Sequence, residues 1–198
     1  ILNNIAFGLK PLITQKIRHR ALRLSCVNEA FSKLWEDSWK EMDPLPNWSI
    51  QDGRLQAVTL LPSWNESVPL RSDFARRWAL VEIDVLTAMA LNLTLDELIL
   101  IYNVQFPVLQ QNEADTWYDA NGRIVFTCSK GLPGVGLDRG EWEEIKDLAP
   151  GQTHSYVVDP AKSEMYGGTT RTYVAPFERR DRAEDYATAW AFFEKELN

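Results

Sequence analysis

The chain has 198 residues, 45% of them hydrophobic and eight of them Trp, enough for one core of ordinary size or two small ones. Its net charge is −7, so the chain as a whole is a poor ligand for phosphate. No apolar run approaches the roughly 20 residues of a membrane span and no signal peptide is visible. Cys26 and Cys128 stand far apart without metal-ligand spacing, which fits a reducing, cytoplasmic setting.

The charge is unevenly spread. Residues 1–28 hold Lys10, Lys16, Arg18, Arg20 and Arg23, with His19, and no acid. Ile13, Ile17, Ala21, Leu24, Phe31 and Trp35 follow at helical spacing, and Val27, Leu34 and Trp39 widen the stripe. The pattern predicts one long helix over 12–41, apolar on one face and basic on the other. The bland role of that basic face is to meet solvent or an acidic surface; the functional one is contact with DNA phosphates. Lys130, ahead of a glycine-rich loop, joins the same candidate set.

Residues 43–70 read as loop, because Pro44, Pro46, Pro62, Pro69, Asp52-Gly53 and two Asn fall within them. A short strand is expected at 54–61. Trp48 and Trp64 are expected to pin the loop to the core, with base stacking as the alternative use of their rings. Ser72-Asp73 then caps a central amphipathic helix over 73–92, built on Phe74, Trp78, Val81, Val85, Ala88 and Met89. Glu82 and Asp84 interrupt it, and intrahelical or buried pairing with cations such as Arg76 and Arg77 is the favoured explanation. Thr94-Leu-Asp-Glu97 is a capping box opening a helix over 95–105, which Pro107 ends or restarts.

The period then changes. Residues 116–118 and 123–127 flank Asp119-Ala-Asn-Gly122, a hairpin signature. Gly131, Pro133, Gly134 and Gly136 make a loop whose spacing matches neither a P-loop nor a dinucleotide fingerprint. Asp138-Arg-Gly-Glu141 caps a helix over 139–148. Strands are expected at 152–158 and 169–175, and a last helix at 181–197. The fold class is therefore α+β, mainly helical, with a β-hairpin and a small antiparallel sheet. Residues 1–67 read as a helical lead-in and Pro-rich loop, and 68–198 as a compact α+β domain, the two together forming one structural unit.

Catalytic signals are weak. Asp138, Glu144 and Lys146 come nearest to a metal-dependent nuclease signature, but such carboxylates need two strands that meet, and these fall on a predicted helix. His19 and His154 are the only histidines, and no Gly-x-Ser-x-Gly is present, so no catalytic triad is legible.

The stretches PLRSDFARRWALVEIDVLTAMALNLTLDELILIY, VQFPVLQQNEADTWYDANGRIVFT and SKGLPGVGL, with RALRLSCVNEAFSKLWED upstream, carry a resemblance. They resemble the C-terminal region of actinobacterial type IIG-like restriction–modification proteins and adenine-specific DNA methylases of phage defence. The methylase motifs of such proteins are missing from this chain, so no catalytic residue carries over. The resemblance implies a non-catalytic C-terminal module that aids DNA recognition or docks on the upstream catalytic domains of the same polypeptide. It implies no cofactor in this segment and leaves S-adenosylmethionine or Mg²⁺ to the parent. A start without Met fits a piece of a longer protein.

Overall fold

A computed structural model describes residues 11–41, 47–55, 60–127 and 135–197. Helix α1 runs Pro11–Ser25, opened by a residue whose missing N–H costs nothing in a first turn. The expected helix over 12–41 breaks after Ser25. Asn28 accepts a bond from the Ala30 N–H, and a 3-10 turn at Glu29–Phe31 leads into α2, Ser32–Ser38, and a second turn at Trp39–Glu41. The break holds because other segments take the freed carbonyls. Leu70 N–H donates to Arg23 O, Arg76 to Leu24 O, Trp64 Nε1 to Cys26 O and Arg71 to Val27 O. Trp64 thus pins its loop as its sequence position suggests. Most of the strand expected at 54–61 lies outside the described residues.

Helix α3, Asp73–Ala90, ends where Asn92 takes a φ of 57° and Leu93 N–H closes on Ala88 O. Helix α4, Leu95–Gln105, starts on the expected capping box: Thr94 N–H donates to Glu97 at 2.8 Å and Glu97 N–H to the Thr94 hydroxyl. Pro107 does not end the helical region but opens α5, Pro107–Ala114. Strands β1, Trp117–Tyr118, and β2, Ile124–Phe126, form the expected hairpin, with Trp117 opposite Phe126. Gly122 turns it at a φ of 78°, and a Cβ there would lie 2.9 Å from Phe74 Cβ, so only glycine fits. Helix α6, Arg139–Ile145, follows. Strands β3, Thr153–Val157, and β4, Thr170–Val174, pair antiparallel through five registered positions. Strand β5, Glu178–Arg179, adds to β1, and α7, Arg182–Leu197, closes the chain. The fold is α+β and mainly helical.

The chain divides into two compact units. One holds residues 1–71, 75–101 and 183–198; the other holds 72–74 and 102–182. The expected lead-in is thus part of a helical unit with α3 and α7, where its side chains find their partners. That unit's clusters include Leu22, Cys26, Trp35, Leu60 and Val68. The second unit is built on Val125, Phe126, Leu137, Trp142, Ile145 and Tyr173, with the Trp142 ring stacked on Phe126. Asp119 organises its turn. One carboxylate oxygen accepts from Asn121 and Arg123 N–H and the other from Val174 N–H, tying the hairpin to β4.

Candidate functional site

Three of the cations on α1 expected to meet solvent or phosphate, Lys16, Arg20 and Arg23, are buried. Lys16, His19, Arg20 and Arg23 recur at helical spacing, and their exposures are 6%, 0%, 1% and 2%. Ile17, Ala21 and Leu24, assigned to the core face, are only half-buried. The helix is therefore turned relative to its apolar pattern. Long cationic side chains can pack their stems inward if their heads find partners, and here acids and carbonyls supply them.

Glu82, fully buried in the middle of α3, is the hub. Its Oε2 accepts from Arg20 Nε. Its Oε1 accepts from Ser49 N–H at 2.7 Å, Ser49 Oγ at 2.6 Å and Trp78 Nε1 at 3.0 Å. The remaining Arg20 nitrogens donate to Lys16 O and Asn47 O, both at 3.0 Å. The Arg20 guanidinium carbon lies 5.3 Å from the ring centres of both Trp48 and Phe193. Lys16 pairs with Glu196 of α7, whose other oxygen accepts from Asn47. A second buried pair joins Arg77 to Asp185, and Asp84 accepts from the Tyr186 hydroxyl at 2.7 Å. Glu82 and Asp84 thus take the structural role that the sequence favours for them.

His19 has no hydrogen-bond partner on either ring nitrogen. Burial, then the charges of Arg20, Arg23 and Lys16, push its pKa down from 6.5 to about 2, so it is neutral. Burial and Arg20 likewise lower Arg23 to about 10, which leaves it charged.

Of the other candidates, Arg18 is half-buried, and Lys10 and Lys130 lie outside the described residues, as do residues 131–134. At the end of that glycine-rich loop, a Cβ on Gly136 would meet Val125 O at 3.1 Å, so this glycine serves close packing on β2. Asp138 caps α6 by accepting from Glu141 N–H, Lys146 pairs with Glu143, and Glu144 is exposed. This geometry gives Asp138, Glu144 and Lys146 no common point. Among the described residues no group of three or more His, Cys, Asp or Glu is arranged to hold a metal ion. Trp48 stacks on guanidinium groups of its own chain.

The acceptors of the α1 cations were not assigned from sequence, because Glu82 and Glu196 stand 62 and 180 residues from their partners. The available signal was an acid interrupting the apolar face of each long helix.

Among the described residues, some large apolar side chains stay exposed. In the second unit, Val104 at the end of α4, with Phe106 and Val108 at the start of α5, are 61%, 48% and 67% exposed. A helix apolar on its outer as well as its inner side is normally covered. Comparison with known proteins gives no match: no family model, curated protein or solved structure matches the chain. Among the described residues, no helix is long and apolar enough to cross a membrane.

Proposed function

We propose that the chain is a non-catalytic C-terminal module of a restriction–modification type defence protein, acting in the cytoplasm by docking on the catalytic domains of its own polypeptide. The segment resemblance over 69–137 supplies the context. The observation that favours docking over DNA contact is the burial of Lys16, Arg20 and Arg23. A cation that neutralises phosphate must reach the surface, and these three are spent inside the helical unit. The exposed apolar residues Val104, Phe106 and Val108 of the second unit are the surface that would be covered on docking.

The test mixes this chain with the separately produced upstream part of its polypeptide and measures binding by calorimetry. A complex is expected, and Val104→Asp with Val108→Asp weakens it about tenfold or more, as loss of a central apolar contact does. Absence of a complex, or a complex that these changes leave intact, would defeat the docking reading.

A further inference from the structure

Arg23 is a buried cation with no carboxylate beside it among the described residues. Its Nε donates to Val68 O at 2.9 Å and its Nη2 reaches Ser67 O at 3.5 Å, both neutral carbonyls. Its Nη1 is enclosed and donates to nothing. The nearby acids are committed, Glu82 to Arg20 and Glu196 to Lys16. No acid offsets the effect of Arg20 on Arg23.

Two further donors share this place. The Trp48 ring centre lies 5.9 Å from the Arg23 guanidinium carbon, and Trp48 Nε1 is buried without an acceptor. His19, four residues before Arg23 and so on the same face of α1, has both ring nitrogens enclosed and unpartnered; a neutral imidazole keeps one N–H to donate. Surplus positive charge and unused donors therefore belong to neighbouring residues. Buried groups of both kinds are costly unless compensated. A water molecule could accept from a donor but would leave the charge unbalanced.

We infer that Arg23 Nη1, Trp48 Nε1 and a ring N–H of His19 form a buried site for one small inorganic anion, between chloride and phosphate in size. A nucleic-acid phosphate or a peptide carboxylate brings a body too large to follow its charge to atoms that solvent does not reach.

The test is thermal unfolding of the 198-residue chain in chloride or in phosphate. Ionic strength is held constant with a bulky sulfonate salt. A saturable rise of the midpoint with chloride or phosphate is expected. Trp48→Phe keeps the ring against both guanidinium groups and removes only the N–H. It should weaken the apparent anion affinity about tenfold, the scale of one hydrogen bond to a charge. Arg23→Gln should abolish the anion dependence; if that variant does not fold, Trp48→Phe decides. A midpoint that follows ionic strength alone would overturn the site. So would an anion response that Trp48→Phe leaves unchanged.

Discussion

Replacing Glu82 by Leu tests whether the cations of α1 belong to the core. The change leaves Arg20, 1% exposed, with Nε unpaired, takes the acceptor from Ser49 N–H and leaves Trp78 Nε1 only Ser49 Oγ. Breaking one side of a buried ion pair costs about 3–5 kcal/mol, because the remaining charge stays enclosed. Glu82→Gln retains an acceptor and should cost less, about 1.5–3 kcal/mol, the scale of a charge-assisted bond. Replacing both Arg20 and Glu82 by Leu removes the stranded charge, so the double variant should recover at least about 2 kcal/mol relative to Glu82→Leu. Urea unfolding followed by Trp fluorescence and circular dichroism gives each value, with Glu36→Leu as the exposed control. A Glu82→Leu loss below about 1 kcal/mol, no larger than that of a surface acid, would refute the reasoning, because it would mean that Arg20 reaches water.

Two other predictions concern His19 and Asp119. The folded pKa of His19, about 2, lies below its unfolded value of 6.5, so the unfolded chain takes up the proton first. Its contribution to stability is full above the unfolded value and is lost as pH falls from there toward the folded one. By about pH 5 the loss is about 2 kcal/mol. His19→Leu, measured in the same sulfonate buffer, should flatten that slope; a wild-type slope in the variant would contradict the assignment. Asp119→Ala removes the acceptor of three backbone N–H groups. It should cost about 2–3 kcal/mol and raise hydrogen exchange at Arg123 and Val174 together. Exchange raised at one of them alone would separate the turn from β4.

Local chemistry made much of the fold legible. The Thr94–Glu97 box, the Asp138 cap and Asn121-Gly122 act within four residues of themselves, and each appears where the sequence places it. Three features were not legible. The end of α1 depends on donors from Trp64, Leu70, Arg71 and Arg76, far along the chain. Strand β5 is two polar residues without alternation. The turned face of α1 is the instructive case. Hydrophobic spacing ranks Ile17 and Leu24 above Lys16 and Arg20 for burial, and that ranking fails when acids on α3 and α7 await the cations. The same long-range pairing hid the anion site, since Arg23 stands out only once its neighbours' carboxylates are assigned.

The measurement that bears most directly on the central claim is binding of this chain to a labelled DNA duplex, without metal, at about 50 and 200 mM salt. If Lys16, Arg20 and Arg23 are core residues, no complex forms even at the lower salt. Binding that falls steeply with salt, and disappears when these three residues are changed, would contradict the account and make α1 a DNA-contacting helix.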